Sequence, residues 1–288
     1  MLGQLVVSSL ALGSIYALTA LGFAIIYRAS DVVNFAQGEM MMLGAMAALL
    51  LYRDLHLSYP VAFGCAVLIS MAVAIVVERV AFRPLLHAPH FTVLLSTVAI
   101  AQVIRSGVRA FYGQELSSFP PAWSDAPIEV YGVRFTLLGV GIIATTALTL
   151  IIFLVLFART NMGWAMRATA QNMRGAAIVG VSVPRVYSQT WAIAGGLAAV
   201  GGILLAPLII ITPDMGVIGN KGFIAAILGG FNSLGGAVMG GFILALMENL
   251  IGVYISSAFK DVIIFGCLIV VLLARPTGLW GTQKLKRV

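Results

Sequence analysis

Charge is scarce in this chain: of 288 residues only 9% are charged, against roughly a quarter in soluble domains. That scarcity excludes a soluble globular fold. Cysteine is nearly absent as well. Cys65 and Cys267 both lie inside apolar runs and read as small packing residues, with neither a disulfide framework nor a zinc-ligand spacing. The three histidines, His56, His87 and His90, fall in loop segments. No metal-spaced cluster and no Ser-His-Asp set is present, so nothing points to an enzyme. The phosphate-loop pattern GxxxxGK[ST] is also missing, so any ATP used with this chain is hydrolysed by another polypeptide. One further absence is local. The stretch 158–185 has no acidic residue, yet it carries Arg159, Arg167, Arg174 and Arg185.

What is present is apolar surface. The composition is 61% hydrophobic with a mean hydropathy of +1.05, arranged in repeated runs of about 20 residues, the length that spans a bilayer. The net charge of +7 sits at the ends of these runs, where it orients helices in a membrane rather than binding nucleic acid. The 31 glycines suit closely packed membrane helices.

Taken in order, 3–27 forms a first span with no basic residue before it, which a cleaved secretory signal would have. Arg28 follows. Asp31, Asn34, Gln37 and Glu39 then cluster just before a short apolar run, 40–52, which belongs to a short helix over 36–52. Spans follow at 60–77, 91–111 and 135–157, with a long Pro- and Trp-containing loop, 112–134, before the last. The basic segment 158–185 reads as a helix over 163–179, ended at Gly180, where positive φ suits a helix C-terminus. Span 186–211 is stopped near Pro207. Residues 222–231 are too few to cross as a straight helix, and 236–254 and 261–275 complete the set. The glycine pair Gly235–Gly236 and the pair Gly240–Gly241 mark a packing surface.

The fold class is therefore all-α, a polytopic membrane protein of eight or nine segments in two inverted repeats with short or broken helices. One membrane domain fills 1–288. Repeat one covers 1–111, an outer loop and linking span 112–157, a cytoplasmic loop 158–185, and repeat two with a basic tail 186–288. The repeat is read from Glu78 and Arg105, 27 residues apart like Glu248 and Arg275, and from Asn34 and Asn220, each opening a short helix. With the N-terminus outside, only Arg53, Arg105, Arg109, Arg134, Lys221 and Lys260 of the 17 basic residues lie outside, as the positive-inside rule favours.

The stretches GSIYALTALGFAIIYRASDVVNFAQGEMMMLGA, RTNMGWAMRATAQNMRGAAIVGVSVPRV, KGFIAAILGGFNSLGGAVMGGFILALMENL and RPTGLWG resemble the LivH-type permease subunits of branched-chain amino acid ABC importers. The resemblance runs over nearly the whole chain. It implies a permease in the bacterial inner membrane, paired with a second permease, driven by two cytoplasmic ATPases and fed by a periplasmic binding protein. Relatives of this kind also move amides or urea. The family often has an acidic residue where this chain has Met173 and Arg174.

Within that frame Asn34, Gln37 and Glu39 are candidates for the translocation path, because polar groups at membrane depth are costly unless paired or facing a cavity. The alternative is that they cap the short helix. Arg167, Ala168, Asn172, Arg174, Ala176 and Gly180 are candidates for ATPase coupling, with Ala168, Asn172 and Ala176 on one helix face. The alternative is a loop that only sets topology. Glu78 and Glu248 read as interfacial or paired with neighbouring arginines. No cofactor is expected in this chain. An ion-coupled transporter or channel using Asp31, Glu39 or Glu248 is the second class of function, and a structural scaffold the third.

Overall fold

The computed structural model describes residues 2–86, 88–112, 119, 127–130 and 133–281. Parts of the outer loop with Trp123, and the tail beyond 281, lie outside the described residues. Among the described residues the regular structure is helical apart from one two-stranded antiparallel hairpin, β1 (Pro127–Val130) and β2 (Val133–Thr136), which lies at the end of the segment read as loop. Thr136 then caps the next helix by accepting from Gly139 N at 3.1 Å, as an N-cap threonine does.

Eleven helices are present among the described residues: α1 (Leu2–Ser30), α2 (Gln37–Leu49), α3 (Tyr59–Val77), α4 (His90–Tyr112), α5 (Leu137–Arg159), α6 (Asn161–Gln171), α7 (Met173–Ile178), α8 (Val183–Leu205), α9 (Gly216–Gly229), α10 (Leu234–Tyr254) and α11 (Lys260–Ala274). Six of them, α1, α3, α4, α5, α8 and α10, are long and apolar enough to cross a membrane. With the shorter α2, α9 and α11, the two halves hold eight segments among the described residues, and α5 between them is the ninth. The order long, short, long occurs in both α1–α3 and α8–α10, after which α4 is long and α11, at 15 residues, is short. α8 stops at Leu205, two residues before Pro207, for the ring cannot continue the hydrogen-bond ladder.

Buriedness sorts these helices. α1 and α8 are almost wholly buried, while α3, α4 and α5 turn most of their apolar surface outward. Two apolar clusters share α1: one with α2, α3, α5 and α8, the other with α9, α10 and α11. Helix directions follow from the contacts. Thr19 meets Gly222, and Tyr27 packs with tilted rings against Phe231 just past the end of α9, so α1 and α9 run parallel. Glu78 reaches Ser188 while Ser70 lies against Gly195, so α3 and α8 run antiparallel. Arg28, at the end of α1, lies 5.8 Å from the Phe157 ring at the end of α5. One end of the bundle therefore carries the basic segment 158–185. The opposite end holds the close of α4 and α10 and the start of α9 and α11.

Small residues make the central crossings possible. A Cβ at Gly202 would overlap the Met41 carbonyl, one at Gly44 the Ala199 backbone, and one at Gly241 the Ala17 backbone. Gly236 lies against Gly229, and Gly240 against Ala225, so both belong to the α9–α10 hairpin. Gly235 does not join that packing surface. It faces open space, since it points away from α9 while its neighbour points toward it.

Candidate functional site

After α1 ends, the backbone turns at Asp31 with φ +53° and runs without regular structure to Ala36. An unladdered backbone inside an apolar bundle needs side-chain partners. Phe35 N donates to Thr97 Oγ1 at 3.2 Å, and Ala36 N donates to Asn34 Oδ1 at 3.0 Å. Asn34, Gln37 and Glu39 are all buried, at 1%, 0% and 2% exposed. Capping does not account for Gln37 and Glu39. Gln37 Nε2 donates to Ala194 O of α8 at 2.8 Å, and Glu39 Oε1 accepts from Arg105 Nε of α4 at 3.1 Å and from a second Arg105 nitrogen. Three polar atoms of this segment have no partner: Asn34 Nδ2, Gln37 Oε1 and Glu39 Oε2.

The charges extend outward from Glu39. Arg105 lies 3.9 Å from Asp214, which accepts from Arg109 at 2.5 Å. Asp214 precedes α9, so one polar chain ties the start of α2, the end of α4 and the start of α9. The two short helices meet beneath it: Gly38 lies against Gly216 and Gly219, and the Glu39 carboxylate rests over Gly216. The sequence singles out Arg105 only as a repeat marker spaced from Glu78, not as the partner of Glu39, and does not single out Asp214. The available signal was an arginine inside an apolar run, since such a charge at membrane depth needs a named partner.

Two other carboxylates are structural. Glu78 is fully buried and takes both arms of Arg83 at 3.0 Å, with Ser188 donating at 2.7 Å. Glu248 is paired with lysines, not arginines: Lys221 at 2.5 Å and Lys260 at 2.7 Å, with the Tyr16 hydroxyl donating at 2.9 Å. The spacing of 27 residues thus does not mark equivalent pairs, because Arg105 serves Glu39 and Arg275 bonds the Leu279 carbonyl. Asn220 likewise sits inside α9 and does not open it, while Gly216 does. Each carboxylate named for ion coupling on a helix, Glu39 and Glu248, already has a cationic partner.

The basic segment is two helices rather than one over 163–179. Thr160 caps α6 by accepting from Gly163 N at 3.2 Å. Asn172 breaks the run at φ −155°, ψ 101° and caps α7 by accepting from Gly175 N at 2.9 Å. Asparagine side chains compete with the helix ladder in this way. Ala168, Asn172 and Ala176 therefore do not share one face. Ala176 is buried, Asn172 is exposed and Ala168 is half-buried. Arg167 is held by the Phe157 carbonyl and stacks over Trp164 at 4.5 Å, whereas Arg174 is exposed. Gly180 has φ +89°. The large exposed apolar residues here are Trp164, Met173, Ile178 and Val179, and the Tyr187 hydroxyl donates to Met173 Sδ at 3.1 Å.

A final feature follows α11. Leu279 N and Trp280 N donate to the carbonyls of Leu228 and Gly229 at 2.9 and 3.0 Å, satisfying groups that the end of α9 leaves free. Gly278, at φ +83°, lies against Gly230 at φ +105°. The RPTGLWG stretch is a cap for a short helix.

A bundle of apolar helices with two short members crossing at glycines, and polar groups gathered at that crossing, defines a multi-pass membrane permease. The family described as "Branched-chain amino acid transport system / permease component" matches residues 5–272. The chain belongs to that family. It is 31% identical to the high-affinity branched-chain amino acid transport system permease protein LivH of Salmonella typhimurium, over 99% of this chain and 97% of that protein. It is 30% identical to BraD of Pseudomonas aeruginosa over the same shares, and 31% identical to a probable LivH of Methanocaldococcus jannaschii over 96% and 92%. No solved structure matches the chain.

Proposed function

We propose that this chain is the permease subunit of an ATP-driven importer for branched-chain or similar apolar amino acids. The observation that carries the reading is the family match over 5–272 together with near full-length similarity to permeases of that named cargo. The chain forms the path with a second permease, takes its energy from two ATPase subunits, receives cargo from a substrate-binding protein and catalyses no reaction itself. The bundle end bearing 158–185 faces the cytoplasm of the inner membrane, as its excess of arginine favours, and the Glu39 end faces the periplasm. α1–α4 and α8–α11 act as inverted repeats joined by α5. Asn34, Gln37 and Glu39 line the path where the short helices cross.

The exposed surface of α6 and α7 meets the ATPases. Force can pass only through a contact whose energy differs between states, and this segment presents apolar side chains at the cytoplasmic end. The test is reconstitution of the permease pair with its ATPases and binding protein in liposomes. ATP-dependent leucine uptake that requires every component is the expected result. Uptake by this chain alone along an ion gradient would establish the ion-coupled alternative instead.

A further inference from the structure

Arg83, Arg105 and Arg109 each have a carboxylate partner: Glu78, Glu39 and Asp214. Arg28 and Arg167, at the basic end of the bundle, have none among the described residues. Arg28, in the last turn of α1, and Arg167, on α6, lie 5.8 and 5.1 Å from the centroid of one ring, Phe157. Arg167 gives one terminal nitrogen to the Phe157 carbonyl and lies over Trp164 at 4.5 Å. Arg28 is half-buried, and among the described residues it donates no hydrogen bond and pairs with no carboxylate, Asp31 included.

A guanidinium has five N–H donors, and taking one out of water is costly unless a counter-charge or hydrogen bonds answer it. The positive-inside rule explains why arginines gather at this end. It does not explain why two of them share one ring with no acidic side chain to pair them. The ring borders a cleft between α1, α5, α6 and α10 with an apolar floor of Ile25, Phe157, Met166 and Leu234. Leu154 stands three residues before Phe157, one turn back along the same side of α5, and is 58% exposed. The surface of α5 that meets lipid chains therefore runs up to the cleft. Trp164, 65% exposed, stands beside it, an aromatic of the kind found at membrane boundaries.

We infer that Arg28 and Arg167 bind the phosphate of an anionic phospholipid from the leaflet on the basic side. The acyl chains lie along α5, and the headgroup joins the end of α1 to α6. Guanidinium donors match the oxygens of a phosphate, and Arg28, fixed by no hydrogen bond, is free to swing toward an anion that Arg167 holds. A zwitterionic headgroup brings its own cation, which the two arginines repel. A carboxylate from a soluble partner meets the exposed Arg174 without entering the apolar cleft that Arg28 occupies. Basic pockets between spans on the cytoplasmic side suit anionic headgroups for these reasons. The inference concerns the bilayer and not the cargo, and it takes from the permease reading only the side on which the basic end lies.

The test uses the purified full-length chain in detergent, titrated with dioleoyl phosphatidylglycerol or with dioleoyl phosphatidylcholine, and bound lipid is counted by native mass spectrometry. The parent retains phosphatidylglycerol and releases phosphatidylcholine. Arg28→Gln and Arg167→Gln each weaken phosphatidylglycerol binding about fivefold, as loss of one basic contact with an anionic lipid does. Arg28→Lys keeps the charge and most of the affinity. Arg185→Gln, at an exposed position of the same basic segment, binds like the parent. Equal retention of the two lipids by the parent overturns the anionic site, and that comparison needs no variant. Unchanged affinity in both glutamine variants overturns the assignment to these arginines. Displacement of phosphatidylglycerol by an equal concentration of glycerol phosphate makes a free phosphate ester the occupant and overturns the lipid. Leucine uptake by the reconstituted complex is a separate measurement. Its absence overturns the permease reading alone, because lipid binding is read on this chain by itself.

Discussion

Gly219 meets Gly38 where α9 crosses α2, so closely that a Cβ on Gly219 would overlap the Gly38 Cα. The neighbour is backbone and cannot rotate aside. Replacing Gly219 with alanine should therefore destabilise the purified protein by the about 1–3 kcal/mol typical of overpacking, seen as an earlier thermal transition in detergent. The comparison is Gly235→Ala, which adds the same methyl in open space. Equal transitions for the two variants would show that the crossing is loose.

Glu248 gathers Tyr16, Lys221 and Lys260 from three other helices. Removing a buried partner strands the opposite charge, at about 3–5 kcal/mol, so Glu248→Ala should be the most damaging single change in this cluster. Tyr16→Phe removes one hydrogen bond to a charged acceptor and should cost about 1.5–3 kcal/mol. Chemical denaturation of the purified subunit ranks them. A Tyr16 variant weaker than the Glu248 variant would mean that packing, not charge, governs the cluster.

Much of the bundle is legible in the sequence, and the reasons are physical. Long apolar runs have one use in water-free surroundings, so α1, α3, α5 and α8 are found close to their expected limits. The short α9 is visible from its length and its glycines, though it starts at Gly216, inside residues that composition alone assigns to a loop. The partners of the carboxylates are not legible. Arg105 and Glu39 lie 66 residues apart, and only the fold brings α4 beside α2. Asn172 could have been recognised as a break, since asparagine is a poor interior helix residue and a good cap. The helical spacing of its neighbours argued the other way and was overridden.

The C-terminal stretch supplies two backbone donors to the end of α9, and it does so through Gly278 at positive φ. Gly278→Ala places a side chain in a strained conformation and against the Ile227 carbonyl. The expected outcome is loss of thermal stability and faster proteolysis after α11. Unchanged proteolysis would show that the cap contributes little to holding α9.

The last prediction concerns the α6–α7 surface, and burial decides which residues can test it. A bulky residue at Ala176 would disrupt the subunit itself, since Ala176 is 4% exposed and packs inward. Its loss of activity would say nothing about docking. Ile178 and Val179 are 85% and 76% exposed, so substituting them leaves the internal contacts intact while changing what a partner meets. A charge placed in an apolar contact loses hydration without gaining a partner. Ile178→Asp combined with Val179→Asp should therefore abolish ligand-stimulated ATP hydrolysis by the assembled complex, with the subunit's own melting temperature unchanged. Arg174→Glu should weaken ATPase association in a salt-dependent way, because exposed ionic contacts are screened within about 10 Å at 0.1 M salt. If the double aspartate variant hydrolyses ATP and transports like the parent, the segment does not dock the ATPases and serves only to orient the chain.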